Sequence, residues 1–136
     1  MTAPGAAADR EDTMQPIQIS ATFTAIPPEQ LELFKATVTE ATEIAADEDG
    51  TLEYAWFLDA GETRCLMIEK YASEEALMTH MGNVGHLMGP LFGSGGPVEV
   101  SILGAAPDAL VEATEAFQPT MYSRFASASS SADDLE

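Results

Sequence analysis

The order in which strand-like and helix-like patterns follow one another constrains the fold of this chain more than any other feature. From Ile17 to Phe23, apolar and polar residues alternate, which is the period-two pattern of a strand with one covered face. After Pro27-Pro28, apolar residues recur at helical spacing from Leu31 to Ala45. The pattern therefore predicts a strand that leads into an amphipathic helix.

A hairpin, a second helix and a fourth strand continue this order. Leu52 to Leu58 and Thr63 to Tyr71 are extended stretches joined by a short Gly-containing connection, which predicts an antiparallel hairpin. Ser73 to Asn83 begins with a good N-cap residue and predicts a helix, and Val98 to Leu103 predicts a strand. The order β-α-β-β-α-β predicts an α+β fold, the ferredoxin-like split unit, with an antiparallel sheet and both helices on one face.

Smaller elements are expected near the C-terminus. Asp108 to Phe117 predicts a short amphipathic helix, and Thr120 to Phe125 predicts a short fifth strand. Residues 1–14 and 126–136 lack apolar periodicity and are interpreted as flexible tails. A chain of 136 residues is expected to form one domain, here over residues 15–125.

Glycine is unusually dense between the second helix and the fourth strand. Six glycines and Pro90 fall within the 15 residues 82–96. This density predicts a broken helix and a mobile loop between Asn83 and Pro97. Apolar residues separated by glycines suit a lid over a hydrophobic ligand, and they equally suit a loop tucked over the helix ends.

The second strand predicts a partner for the sheet. Trp56 and the adjacent Phe57 give it apolar side chains on both faces, whereas helices are expected on only one. A second copy stacked sheet to sheet would cover the open face and form a dimeric α+β barrel. The alternative is that the C-terminal helix covers it.

Charge and composition narrow the range of partners. The chain has 23 Asp and Glu residues against 5 Lys and Arg, a formal net charge of −18, which disfavours nucleic acid and anionic membranes as partners. Cys65 is the single cysteine and is interpreted as a packed, inert thiol. Neither a membrane-spanning apolar run nor a signal-peptide pattern is present, so a cytoplasmic protein is expected. No Walker or Rossmann pattern points to a nucleotide cofactor.

The run from Glu69 to His80, EKYASEEALMTH, resembles the signature of the antibiotic biosynthesis monooxygenase family. In that signature a strand ends in Glu-x-aromatic, a Ser or Asp caps the next helix, and a His closes its second turn. The resemblance covers Ile17 to Gly104. It implies a dimeric barrel and, by analogy with quinol and polyketide monooxygenases, oxidation of a small aromatic substrate by molecular oxygen without metal or flavin.

Three residues of this run are the candidates for catalysis. Imidazole has an unperturbed pKa of about 6.5, so His80 is the predicted acceptor of a phenolic proton, with a packing histidine as the alternative. Tyr71 stands at the aromatic position of the family and is expected to orient a quinol oxygen, or simply to pack. Glu69 shares a strand face with Tyr71 and is expected in the pocket, or paired with Arg64 or Lys70 of a neighbouring copy.

Further residues are expected to bind the substrate ring. They are the aromatic Trp56, the adaptable Met67, and three residues of the Gly-rich segment: His86, Met88 and Phe92. Core packing is the alternative for Trp56 and the methionines. Two other functions stay open. One is a non-catalytic dimeric module that binds an apolar ligand. The other is haem binding or degradation, although position 71 is Tyr where the haem-degrading relatives carry Trp, and no Asn lies near Ser20 on the first strand.

Overall fold

The computed structural model describes residues 16–128 as one mixed sheet and four helices. The strands are β1 (Ile17–Phe23), β2 (Thr51–Leu58), β3 (Cys65–Tyr71), β4 (Val98–Leu103) and β5 (Thr120–Tyr122). The helices are α1 (Leu31–Ala46), α2 (Glu74–Val84), α3 (Met88–Gly95) and α4 (Asp108–Thr114), with short 3₁₀ turns before α1 and α3 and after α4. The predicted N-terminal tail, 1–14, and residues 129–136 of the predicted C-terminal tail lie outside the described residues.

The sheet has the strand order β2-β3-β1-β4-β5. The three pairings among the first four strands are antiparallel, and β5 adds to β4 in parallel. This arrangement confirms the predicted ferredoxin-like fold. The sheet differs from the prediction in being mixed, because the short fifth strand runs parallel to its neighbour. It is open at both edges.

The alternation predicted for β1 decides which face of the sheet is covered. Ile17, Ile19 and Ala21 are buried, while the residues between them keep accessible surface. Leu77 of α2 and Leu110 of α4 pack into the same core cluster as these β1 residues. The C-terminal helix therefore lies on the helical face of the sheet, and the alternative that it covers the opposite face is wrong for the described residues.

The predicted start of α2 is confirmed in detail. Ser73 adopts an extended conformation, and its side-chain oxygen accepts a hydrogen bond from the Ala76 backbone N–H at 3.1 Å. Glu74 and Glu75 follow in the first turn, where negative charge stabilises the positive end of the helix dipole. This cap sets the rotation of α2, and with it the residues that face the sheet.

The Gly-rich segment is a correction to the sequence-based prediction, because it is helical where a mobile loop was expected. Leu87 and Leu91 are buried one turn apart, and Ser94 is buried with its hydroxyl donating to the Pro90 carbonyl oxygen at 2.7 Å. Pro90 lies in the first turn of α3, where it removes no intrahelical hydrogen bond. Burial of an apolar stripe has outweighed the low helix propensity of glycine.

Gly95 shows why glycine occupies one position of this helix. A side chain there would collide with the ring of Phe23, and the Phe34 ring lies beside it. Glycine thus lets α3 approach the aromatic core. Separately, no helix among residues 16–128 has the length and apolar character needed to cross a membrane.

Candidate active site

A cavity of about 370 Å³ lies between the helical face of the sheet and the inner sides of α2, α3 and α4. This volume is in the range of roughly 300–1,000 Å³ that is typical of small-molecule sites. Most of its lining is apolar and comes from every surrounding element, including Ile19, Met67, Leu77, Met81, Met88, Phe92, Val100, Leu110 and Phe117. Ala113 of α4 also lines the cavity and is exposed on the protein surface. The α4 side of the cavity therefore lies next to solvent.

Three polar side chains are grouped on one wall of this cavity. Tyr54 and Glu69 are directly opposite each other in the β2–β3 pairing, and the Tyr54 ring lies 4.8 Å from the His80 ring, centroid to centroid. No Lys or Arg belongs to the lining formed by the described residues. The wall thus offers groups that exchange protons and hydrogen bonds, but no fixed positive charge.

His80 occupies the centre of this wall. Its helical spacing from Leu77 and Val84 turns it toward the sheet, and it is only 3% exposed. Its Nδ1 lies 2.8 Å from Oε1 of Glu48. The position of His80 is compatible with both a packing histidine and a cavity residue, because its ring lies between two aromatic neighbours and also lines the cavity.

Glu48, which holds His80, is itself held by two further side chains. Oε1 also accepts a hydrogen bond from the Thr51 hydroxyl at 2.7 Å, and Oε2 accepts one from the Asn83 amide at 2.9 Å. Burial alone would raise the pKa of this carboxyl, but the hydrogen bonds from Asn83, Thr51 and His80 outweigh it and lower the pKa below its ordinary value. Glu48 is therefore a carboxylate at neutral pH.

Glu69 has the opposite electrostatic environment. Burial raises the pKa of its carboxyl above the ordinary value, and the hydrogen bond from Tyr71 and the nearby His80 offset only part of that rise. Its side chain lines the cavity on the helical face of the sheet. The alternative of a Glu69 pair across a dimer interface on the open face is thereby corrected.

Tyr71 is next to the cavity but does not line it. Its side chain is 0% exposed and belongs to the core cluster, and its hydroxyl donates a hydrogen bond to Oε1 of Glu69. Burial and the neighbouring Glu69 raise the pKa of Tyr71, so the hydroxyl keeps its proton. Tyr71 therefore packs in the core, which was the alternative for it, and its hydroxyl contacts Glu69 rather than the cavity surface.

Two of the predicted ring-binding residues lie elsewhere. Trp56 packs in an aromatic cluster with Phe23 and Phe34, at centroid distances of 6.1 and 6.2 Å, and does not line the cavity. His86 is on the outer surface, with Nε2 3.8 Å from Glu40. The Trp56 side chain packs in the core, which was the alternative for it, and the His86 side chain turns away from the cavity. Met67, Met88 and Phe92 line the cavity, and their contact with a substrate ring stays a prediction.

Glu48 and Tyr54 belong to the site and were not predicted. The phenol of Tyr54 is half-buried beside two carboxyls, and burial first and then Glu69 and Glu48 raise its pKa. The available sequence signal for Tyr54 was its period-two spacing with Trp56 on β2. The buried free thiol of Cys65, with a pKa raised by burial to about 11, is the inert cysteine that was expected.

Comparison with known proteins gives a family and a fold. Residues 16–87, which span β1 to the turn before α3, match the family model described as antibiotic biosynthesis monooxygenase. These residues are more than half of the chain and include Glu48, Glu69 and His80. No curated protein matches the chain.

Several solved structures are similar over most of the chain. MupZ from Pseudomonas fluorescens is 21% identical, with a TM-score of 0.69 over 88% of this chain and 92% of its own. Rv0793 from Mycobacterium tuberculosis is 24% identical, with a TM-score of 0.54 over 70% of this chain and 99% of its own. A conserved protein from Methanosarcina mazei Go1 is 18% identical, with a TM-score of 0.57 over 68% and 95% of the two chains. At these identities the similarity shows a shared fold.

Proposed function

We propose that this chain, which belongs to the antibiotic biosynthesis monooxygenase family, oxidises an aromatic quinol or polyketide-like phenol with molecular oxygen. The substrate supplies the electrons, and neither metal, flavin nor haem takes part. With a hydroquinone, one atom of O₂ enters the ring to give a hydroxyquinone and the other leaves as water. The protein would bind the ring, accept a phenolic proton and keep bulk water away.

The observation that carries this proposal is the combination of an apolar cavity with one proton-handling wall. A volume of about 370 Å³ suits an aromatic system of a few rings, and methionine and phenylalanine side chains suit its faces. Since no Lys or Arg among residues 16–128 is part of the lining, the cavity favours a neutral phenol over a carboxylate or phosphate ester. His80, Glu69 and Tyr54 form the polar wall against which the hydroxyl of such a ring is proposed to bind.

His80 is the proposed proton acceptor, because imidazole near neutrality can take a phenolic proton and hold it during reaction with oxygen. The phenolate that results keeps the electron pair and is the electron-rich species that reacts with O₂. Glu69, with its raised carboxyl pKa, would donate a hydrogen bond to a substrate oxygen in its protonated form. Tyr71 acts indirectly, by fixing the orientation of Glu69.

Oxygen uptake tests this proposal. Purified protein is supplied with simple hydroquinones and hydroxynaphthalenes, in the presence of a metal chelator and without added flavin. The expected result is uptake that depends on the protein, survives the chelator and is lost in His80→Ala. Absence of uptake across the panel would count against the monooxygenase, and an unchanged rate in His80→Ala would remove His80 from the mechanism.

A second copy of the chain is proposed to complete the molecule. Phe57 of β2 is paired with Leu66 of β3, and both point away from the helices and remain exposed, at 55% and 40%. Ile68 and Leu103 occupy the same face by register. None of the described helices covers this face, and a paired sheet from a second copy would remove its apolar side chains from water.

The alternative function is binding without turnover, which the largely apolar lining favours. Such a module would show saturable binding of a hydroxynaphthalene but no oxygen uptake. Haem is a second ligand to test, because His80 has one ring nitrogen without a protein partner among the described residues. A Soret shift that is lost in His80→Ala would support it. A cytoplasmic location and the exclusion of nucleic-acid and membrane partners stay predictions from composition.

A further inference from the structure

The turn between α1 and β2 carries a carboxylate that contacts the ring of His80. Glu48 is in this turn, and its side chain is 7% exposed. Its carboxylate accepts three side-chain hydrogen bonds, from Thr51, Asn83 and Nδ1 of His80, at 2.7, 2.9 and 2.8 Å. A carboxylate bound by three donors is fixed in both position and orientation.

The turn itself is fixed against the start of α2. The Ala72 backbone N–H donates a hydrogen bond to the Gly50 carbonyl oxygen at 2.9 Å. Gly50 lies so close to Ala76 that a Cβ at Gly50 would collide with the Ala76 side chain. This close approach brings Glu48 within reach of His80 and Asn83, which lie about one and two turns further along α2 than Ala76.

The hydrogen bond between Glu48 and His80 determines which ring nitrogen carries the proton. An ionised carboxylate can only accept, so Nδ1 at 2.8 Å must be the N–H donor. Neutral imidazole has a single N–H, and Nε2 is therefore left with a free lone pair. Nε2 has no hydrogen-bond partner among the described residues. In residues 16–128, the one side-chain nitrogen that is both inaccessible to solvent and without a partner is Nε1 of Trp56, so Nε2 of His80 is not inaccessible. Nε2 thus keeps accessible surface, and the ring lines the cavity.

We infer that Glu48 is the positioning residue of the site, holding His80 as its Nδ1–H tautomer so that Nε2 faces a ligand in the cavity as the proton acceptor. The inference rests on the proposed function only for the identity of the reaction. When a phenol binds, its proton moves to Nε2, the phenolate oxygen keeps the electron pair, and the imidazolium now carries two N–H groups. The Glu48 charge beside Nδ1 stabilises that cation. Tyr54, Tyr71 and Glu69 are the other titratable groups beside the ring.

The tautomer can be measured without turnover. Two-bond ¹H–¹⁵N correlation spectra of ¹⁵N-histidine-labelled protein, recorded where the ring is neutral, distinguish a protonated from an unprotonated ring nitrogen. We expect the wild type to show His80 with Nδ1 protonated and Nε2 bare. In Glu48→Ala this preference should be lost, while in Glu48→Gln, whose amide oxygen can still accept from Nδ1–H, at least part of it should remain. His86 supplies an internal reference signal, because the chain has only two histidines.

The matched control is Glu40→Gln. Glu40 also faces a histidine, His86, but at 3.8 Å on the exposed surface, so this variant should leave the His80 spectrum unchanged. A wild-type spectrum with Nε2 protonated would overturn the inference even if Glu48→Ala failed to fold. Retention of the Nδ1–H tautomer in a folded Glu48→Ala, which has no acceptor at this position, would overturn it too.

Turnover then separates this inference from the proposed function. If a quinol is oxidised, Glu48→Gln should lower kcat by at least about 10-fold with a smaller change in KM, since proton transfer is affected more than ring binding. If no substrate is turned over while the tautomer result holds, the proposed function fails and the positioning role stands. If turnover occurs and Glu48→Gln keeps the wild-type kcat, the positioning role is overturned.

Discussion

His80 is the residue on which the proposed chemistry depends most. Replacing it with alanine removes the one imidazole of the cavity and should reduce kcat for quinol oxidation by about 10²- to 10⁴-fold, the range typical of a lost general base. The measurement is the initial rate of oxygen uptake at saturating substrate.

The control for this variant is His86→Ala. His86 is exposed beside Glu40, outside the cavity, so its loss should leave kcat within a factor of about two of the wild type. Equal losses in both variants would show that the effect is not specific to the cavity wall.

Glu69 should make the stability of the protein depend on pH. Because the folded-state pKa of its carboxyl is raised, the folded protein holds this proton more tightly than the unfolded chain. The stability that the protonated Glu69 carboxyl contributes is therefore fully present below the unfolded-state pKa of about 4.3. It is lost as the pH rises through the folded-state pKa. Glu69→Gln, which keeps an acceptor for Tyr71, should gain in Tm relative to the wild type as pH rises from 4 to 8.

Glu48→Gln provides the comparison of opposite sign. The folded-state pKa of the Glu48 carboxyl is lowered. The stability that this carboxylate contributes is therefore present above the unfolded-state pKa of about 4.3 and is lost as the pH falls through the folded-state pKa. This variant should be most destabilised near neutral pH and least at acid pH. Differences from the wild type that stay constant with pH in both variants would contradict the assigned environments.

At the scale of single residues, some members of the site could be predicted from the sequence and others could not. His80 was predictable because its spacing from Leu77 and Val84 places it on a buried helix face. Glu48 was not, since its partner is 32 residues away and its neighbours Asp47 and Asp49 are equally acidic. Only the folded turn distinguishes the carboxylate that reaches the imidazole.

At the scale of elements, the contact between the α1–β2 turn and α2 is the one that assembles the site. Gly50→Ala places a methyl group against the Ala76 side chain and should cost about 1–3 kcal/mol of unfolding free energy, as overpacking does. It should also displace Glu48 and lower kcat. Chemical denaturation and oxygen uptake measure the two effects.

Gly82→Ala is the matched control. Gly82 is inside α2, and an added Cβ there would meet nothing within 4 Å. Alanine should therefore stabilise the helix by about 0.5–1 kcal/mol and leave kcat unchanged. A Gly50→Ala variant as stable and active as Gly82→Ala would show that the close approach to Ala76 is not needed.

The order of elements was predictable because periods of two and of 3.6 are strong local signals. The segment 83–97 was not, because glycine content favoured a loop while the buried spacing of Leu87 and Leu91 favoured a helix. Packing decided between them, and packing is not visible until the neighbouring elements are in place. The parallel pairing of β5 with β4 could not be predicted for the same reason, because it depends on how the neighbouring elements pack.

At the scale of the whole molecule, the open face of the sheet should be an interface between two copies. The wild type is expected to sediment at twice the chain mass of 14.4 kDa. Phe57→Lys puts a charge among the exposed apolar side chains of this face and should shift the protein to monomer. Leu33→Lys, at a 50% exposed position of α1 on the helical side, should remain dimeric. A monomeric wild type would contradict the proposed dimer.

The central claim is that one oxygen atom of O₂ is transferred to an aromatic ring in this cavity. Turnover under ¹⁸O₂, with chelator present, followed by mass spectrometry of the product, tests it most directly. The proposed reaction predicts one ¹⁸O atom in each product molecule, with the second atom in water, and formation of labelled product at least about 10²-fold slower in His80→Ala. Formation of quinone without ¹⁸O, accompanied by stoichiometric hydrogen peroxide, would contradict the claim, because the protein would then only assist electron transfer to oxygen.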